Sequence, residues 1–321
     1  MGALNGRIAV ITGAGRGIGH DIAVTMAREG AKVVVNDLGG DVDGEGGSKI
    51  ADEVVDKIEA AGGVAVANYD TVATVEGGKR IFQTAIDNYG GLDILVNNAG
   101  ILRDYTLFNM TEENWDAVIA VHLRGHYSCS RPFARYIRET NRPACRILNF
   151  SSVSGLYGNF GQSNYGSAKA GIAGFTRVLA LELAKYGATV NTISPGATTR
   201  MTLTIGLSKA QAATVDADAP DQGRQQVAEV IAWMASNESQ EITGQIIHAS
   251  DGTVGIMQQP AVIKSFSVDG MWTLNDLDKA LPALMEAKRE HDAYVKEKGT
   301  PEPLTDISHM DARDHHGQGF L

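Results

Sequence analysis

Residues 7–19 of this 321-residue chain read RIAVITGAGRGIG. The first six, RIAVIT, make an apolar run of strand length, and the rest holds glycines at 13, 15, 17 and 19. An amphipathic helical pattern follows to about Glu29. Strand, glycine turn and helix in that order make a phosphate-binding start. Bare backbone can approach a pyrophosphate closely, and the helix N-terminus faces its charge. The spacing is Gly13-x-x-x-Gly17-Ile18-Gly19, not the commoner Gly-x-Gly-x-x-Gly, and a simple tight turn is the plainer alternative. The flanking strand and helix favour a dinucleotide site.

Outward from that start, strands and helices alternate. Residues 31–37, AKVVVND, form a second strand that ends on Asp37. A carboxylate there can accept both hydroxyls of an adenosine ribose and repels a 2′-phosphate, so NAD is expected over NADP. Arg16 in the glycine turn could meet such a phosphate, and it is read instead as a solvated loop side chain. Residues 38–48 form a long, acidic, flexible loop, and a helix follows to about Ala61. Strand Val64–Asn68 leads to Asp70, which can bond an adenine amino group or serve as an ordinary turn aspartate. Helix Val75–Tyr89 and a strand over 92–96 precede Asn97-Asn98-Ala99-Gly100. Small residues there let a cofactor pass close to backbone, or simply end the strand.

Thr111 has the position of a helix cap, with Trp115, Val118 and Val121 turned inward and His122 a turn further on. A strand over 145–150 delivers Ser151 and Ser152, and one over 189–194 leads to Pro195-Gly196. Residues 197–222 lack periodicity and suit a substrate lid; a helix over 225–234 and a strand over 245–248 complete the alternation. The expected fold is α/β, a doubly wound parallel sheet of about seven strands with helices on both faces. Residues 1–254 are expected to form the catalytic domain and 255–321 a C-terminal extension, packed on the body or on a neighbouring subunit. Its helical pattern over Leu274–Lys298 is expected to break at Pro282. The polar tail beyond carries His309, His315 and His316 near Asp311 and Asp314, a set read as solvated rather than metal-binding.

The candidate chemistry lies in residues 151–170, SSVSGLYGNFGQSNYGSAKA. Tyr165 and Lys169 stand four apart in a helical pattern, so they share a face one turn apart. A phenol is a poor base at neutral pH, with an ordinary pKa of about 10. An ammonium beneath it favours the phenolate, and a cationic cofactor ring adds to that. Reaching neutrality from there takes about 4 kcal/mol. Ser152 can hold a substrate oxygen against the tyrosine, which makes a proton-transfer site for C–OH/C=O interconversion.

A net charge of −10 argues against nucleic acid and anionic membranes as partners. Two cysteines, Cys129 and Cys145, are too few for a disulfide framework and suit a reducing, cytoplasmic location. No signal peptide, membrane-spanning run, myristoylation signal or peroxisomal address is read.

Taken together, Thr12-Gly13-x-x-x-Gly17-Ile18-Gly19, Asp37, Asn97-Asn98-Ala99-Gly100, Ser152, Tyr165-x-x-x-Lys169 and Pro195-Gly196 resemble the short-chain dehydrogenase/reductase family over residues 4 to about 253. VVVNDLGGD, VNNAGILRD, VHLRG and YGNFGQSNY are further similar to the (3R)-hydroxyacyl-CoA dehydrogenase domain of the peroxisomal multifunctional enzymes of type 2. The resemblance implies a Rossmann-type fold, oxidation of (3R)-hydroxyacyl-CoA with NAD, and a homodimer or homotetramer. 17β-Hydroxysteroids or other secondary alcohols are the alternative substrates, and an inactive NAD-binding scaffold is the alternative class.

The same resemblance makes Tyr165 the acid/base, Ser152 the carbonyl-positioning group and Lys169 the residue that lowers the tyrosine pKa and holds the nicotinamide ribose. Gly13, Gly17, Ile18 and Gly19 would line the pyrophosphate and Asp37 the ribose. Asp70 and Thr71 would meet the adenine, Asn98, Ala99 and Gly100 the cofactor's flank, and Pro195 and Gly196 would sit by the nicotinamide. His122 stands where many members have an asparagine that carries a relay water, and it can hold that water or simply pack. Arg200 breaks the Pro-Gly-x-x-x-Thr pattern, leaving Thr198, Thr199 or Thr202 for the carboxamide. Arg103, Arg124, Arg200 and Lys264 are candidates for CoA phosphates.

Overall fold

The computed structural model describes residues 2–40, 43–44, 48–196, 221–250 and 252–298. It divides into two compact units, Met1–Met257 and Gln258–Leu321. The first unit is built on strands β1 (Ile8–Thr12), β2 (Lys32–Asn36), β3 (Val64–Asn68), β4 (Ile94–Asn97), β5 (Arg146–Phe150), β6 (Thr189–Pro195), β7 (Ile246–Ser250) and β8 (Thr253–Ile256). They lie in the order β3-β2-β1-β4-β5-β6-β7-β8. Every pair is parallel except β7–β8, which is antiparallel.

The parallel core bears out the expected architecture, and an eighth strand extends it across the boundary placed at 254. Thr253, Val254 and Ile256 are exposed. A short edge strand on a glycine turn buries too little to leave a hydrophobic period in the sequence.

The strands carry continuous apolar runs because helices cover both faces. Ala9 and Ile11 of β1 enter one core with Ile22 and Met26 of helix α1 (Gly17–Arg28). Ile8 and Val10 enter the other with Phe133, Ile147 and Leu179. That alternation is the two-residue period of a strand, and each fully buried aliphatic contributes about 1.5–3 kcal/mol. Helices α2 (Ile50–Ala60), α3 (Val75–Tyr89), α4 (Glu112–Ile119) and α5 (Gly125–Thr140) follow the chain. Thr111 caps α4 as expected, its hydroxyl accepting from Asn114 N at 3.2 Å. A π-helical turn, Ala120–Arg124, joins α4 to α5 and carries His122.

Helices α6 (Val153–Tyr157) and α7 (Ser163–Leu183) follow β5, and α8 (Gln222–Ala235) follows β6. The 197–222 lid expectation falls outside the described residues, except where Gln222 opens α8 behind its Asp221 cap. The second unit contains α9, Leu274–Lys298. It runs unbroken with Pro282 inside it, a correction to the expected break. One proline removes a single backbone donor, whereas the helical pattern resumes on both sides of it. The histidine-bearing tail lies outside the described residues. No described helix is long and apolar enough to cross a membrane.

Candidate active site

The order of the central strands decides where a site can form. β1 has β2 on one side and β4 on the other, so the chain reverses its direction of travel there and a crevice opens beyond the strands' carboxyl ends. A cavity of about 490 Å³ occupies that crevice. Gly13, Arg16, Gly17, Ile18 and Gly19 line it from the turn after β1, and Asp37 from the end of β2. Asp70 and Thr71 line it after β3, and Asn98, Ala99 and Gly100 after β4. Ser152, Tyr165, Lys169, His122 and Pro195 complete the wall.

The turn is held open from beneath. Thr12 Oγ1 accepts from Asn98 N and Ala99 N, each at 3.1 Å, while Asn98 Nδ2 donates to Thr12 O at 3.0 Å and Gly13 O at 2.9 Å. Gly13 has φ +64°, and a Cβ there would stand 2.7 Å from Ala99 Cα. Gly17 has φ +58° with nothing within 4 Å of a built Cβ. Arg16 gives α1 no side-chain cap, and its first turn holds no acidic residue. This helix start therefore leaves its N–H dipoles for an anion, and a dinucleotide pyrophosphate fits it.

Asp37 takes hydrogen bonds from Gly15 N at 2.8 Å on Oδ2 and from Gly39 N at 2.7 Å on Oδ1. Both oxygens retain lone pairs for hydroxyl donors. Asp70 is more committed: Arg80 Nε lies 2.5 Å from its Oδ1, and Asn68 Nδ2 donates to its Oδ2 at 3.0 Å. Asn36, buried at the end of β2, bonds Asp70 O at 2.9 Å and lines the same cavity.

At the other end of the crevice, Lys169 is 3% exposed. Its Nζ donates to Phe150 O at 2.7 Å and lies 5.4 Å from the Tyr165 ring centroid. The helix-face prediction for this pair holds. Its electrostatics differ from expectation. Burial pushes the Tyr165 hydroxyl up to about 12; a hydrogen bond with Ser152 opposes this and Asp104's charge adds to it. Burial also brings Lys169 down to about 7. The chain by itself therefore does not lower the tyrosine pKa, because desolvation penalises the phenolate and weakens the ammonium that was to favour it.

His122 is 1% exposed and stands edge-on to Tyr165, with ring centroids 5.1 Å apart. Its Nε2 lies 2.8 Å from Ile101 O, and its Nδ1 is buried without a partner among the described residues. Burial, then the charge of Lys169, holds this ring neutral, well below the ordinary histidine value. His126 behind it is held down to about 3 by the same two causes in the same order.

Gly196 is exposed beside Pro195. Arg124 is exposed on the π-helical turn, and Lys264 belongs to the second unit. Of the cationic candidates Arg103 lines the cavity, its Nε donating to Asp43 O at 2.9 Å. Thr198, Thr199, Arg200 and Thr202 lie outside the described residues.

Asn164 joins the site beyond the expected residues: its Oδ1 accepts from Tyr165 N at 2.7 Å and its Nδ2 donates to Arg103 O at 2.9 Å. Asp104 and Gln162, 2.7 Å apart, do so as well. A polar run just before an apolar helical pattern was the signal available for Gln162 and Asn164.

Residues 7–212 match the family described as short chain dehydrogenase. The chain is 39% identical over 287 residues to the hydroxyacyl-CoA dehydrogenase ChsB1 of Mycobacterium tuberculosis, covering 87% of this chain and 88% of that protein. It is 43% identical over 252 residues to the mouse peroxisomal multifunctional enzyme type 2, covering 78% of this chain. It spans only 32% of that mouse protein's length. A crystal structure of a short chain dehydrogenase from Mycobacterium avium matches with a TM-score of 0.77 and 41% identity, over 89% of this chain and 97% of that one.

Proposed function

The chain belongs to the short-chain dehydrogenase/reductase family, and from that premise we propose that it interconverts a (3R)-hydroxyacyl-CoA and its 3-ketoacyl-CoA with NAD. The observation that carries this reading is the single crevice lined by the glycine turn, Asp37, Ser152, Tyr165 and Lys169 together. The family uses NAD or NADP. NAD is favoured here by Asp37, because a 2′-phosphate would meet its carboxylate. The acyl-CoA substrate is supported by the names of the mycobacterial and mouse relatives. Cys129 and Cys145 are free and buried, which supports a reducing compartment such as the cytoplasm.

In this reading Gly13, Gly17, Ile18 and Gly19 hold the pyrophosphate, Asp37 the adenosine ribose and Lys169 the ribose next to the nicotinamide. When bound, the nicotinamide accepts or returns the hydride and, oxidised, carries a positive charge. Ser152 bonds the substrate oxygen, and Tyr165 exchanges the hydroxyl proton with it. As the chain presents it, Tyr165 is a protonated phenol, ready to donate in ketone reduction. Serving as a base near neutrality from a pKa of about 12 needs about 7 kcal/mol of added stabilisation of its anion. Lys169 in its charged form and the bound charge together supply it. His122, neutral and with a free Nδ1, extends the proton path from this end of the crevice.

The test is a comparison of kcat/KM for (3R)-hydroxyacyl-CoA and 17β-hydroxysteroid substrates with NAD and with NADP. The acyl-CoA with NAD is expected to lead by at least ~10²-fold, since a site built to bond a substrate's polar groups rejects analogues that lack them. A steroid preference of that size overturns the substrate. Tyr165→Phe is expected to lose turnover while still binding NADH; near-normal rates in that variant remove the mechanism.

A further inference from the structure

The segment after β4 is tied to the start of α7 by contacts that span more than fifty residues of sequence. Gln162 Nε2 donates to Asp104 Oδ2 at 2.7 Å, and Asn159 Nδ2 donates to Gln162 Oε1 at 3.0 Å. Tyr105 and Gln162 form an isolated parallel bridge. Asn164 Nδ2 reaches Arg103 O at 2.9 Å while its Oδ1 receives Tyr165 N at 2.7 Å. Gln162 is 4% exposed and is the cap residue of α7, three positions before Tyr165. Gly166 N donates to Gln162 O at 2.7 Å, so the residue that grips Asp104 also closes the helical turn around the tyrosine.

We propose that Asp104 and Gln162 form a latch that positions Tyr165 for proton transfer. The inference rests on the reading of Tyr165 as the proton-transfer group and adds a residue that acts through another.

The geometry gives the latch two separable effects. Its hydrogen bonds fix the direction from which α7 leaves the loop, and hence where the phenol stands. Its carboxylate places one negative charge within electrostatic reach of that phenol and opposes its ionisation. Lys169 lies below Tyr165 on α7 itself, and His122 from the π-helical turn and Ser152 from the end of β5 face it from other elements. His122 is neutral; Lys169 when protonated is the cation beneath the phenol, and Arg103 lines the same cavity. Burial raises the pKa of Asp104 itself, and the Gln162 amide partly offsets this.

Asp104→Asn keeps an oxygen for Gln162 Nε2 and removes only the charge. With the full chain, saturating NAD and substrate, the ascending limb of kcat against pH is expected to move to lower pH, as for loss of one nearby like charge. KM is expected to stay within about twofold, because the substrate contacts are untouched. Asp104→Ala removes charge and hydrogen bond together and is expected to lower kcat about tenfold, as for a misplaced catalytic group; Asp104→Glu is expected to restore it in part. Melting temperatures of the three variants identify any that fail to fold.

A profile for Asp104→Asn that superimposes on the parent overturns the charge role. Parent kcat in a folded Asp104→Ala overturns the latch. If Tyr165→Phe turns over normally, the underlying reading fails instead, and the two failures are distinguished by which variant is silent.

Discussion

At the scale of single residues, Lys169 is a buried cation. It is 3% exposed, and burial brings its pKa from the usual 10.5 to about 7. A depressed cation has a definite sign. Below about pH 7 both folded and unfolded forms carry the proton and the full penalty is present. Between about 7 and 10.5 the unfolded chain holds a proton that the folded one has shed, so stability rises with pH across that window. Lys169→Met, similar in volume and uncharged, is expected to raise the stability of the cofactor-free protein at pH 6 by a few kcal/mol. The gain shrinks toward zero near pH 10, and turnover is lost. Thermal melts of both proteins at the two pH values check it, and a gain that does not shrink refutes the charge argument. The sequence showed that Lys169 and Tyr165 share a helix face. It did not show their protonation, because that depends on how completely β5, α6 and the π-helical turn close over them. The same limit applies to His122, whose type and place were legible and whose edge-on contact with Tyr165 was not.

At the scale of elements, the turn between β1 and α1 works by absence of side chains. A Cβ at Gly19 would meet Gly13 O, and would come within 2.5 Å of Asn98 Nδ2. Gly19→Ala is therefore expected to spread the turn, weaken NADH binding at least about tenfold and cost ~1–3 kcal/mol of stability. Fluorescence titration and urea melts read both effects. Gly174, mid-helix in α7 with nothing within 4 Å of its built Cβ, is the control. Gly174→Ala is expected to stabilise by roughly 0.5–1 kcal/mol and leave NADH affinity unchanged. The glycine turn and all seven parallel strands were readable because buried strands print their own apolar runs. The edge strand β8 and the passage of α9 through Pro282 were not. An exposed four-residue strand has no hydrophobic period, and proline rules describe an average cost rather than a prohibition. The Asp104–Gln162 latch joins positions 58 apart, beyond any local pattern.

At the scale of the whole molecule, the outward face of α7 carries Val178 and Leu181, 55% and 65% exposed. Large aliphatic side chains on one helix, four turns beyond the catalytic end, suit contact with a second copy. Light scattering is expected to give a dimer or tetramer, and Leu181→Arg to shift it toward the monomer. A single monomeric mass for the parent chain removes that expectation.

The neighbour relation of β1 and β4 has a consequence for synthesis on the ribosome. Thr12 emerges early, yet the amides its hydroxyl receives belong to Asn98 and Ala99. A nascent chain stopped at Tyr89 would hold the glycine turn without its floor, and one stopped at Phe150 would hold both without the tyrosine. Nucleotide affinity should consequently be invisible in truncated translation products and arrive late, in one step, as the second half of the sheet docks.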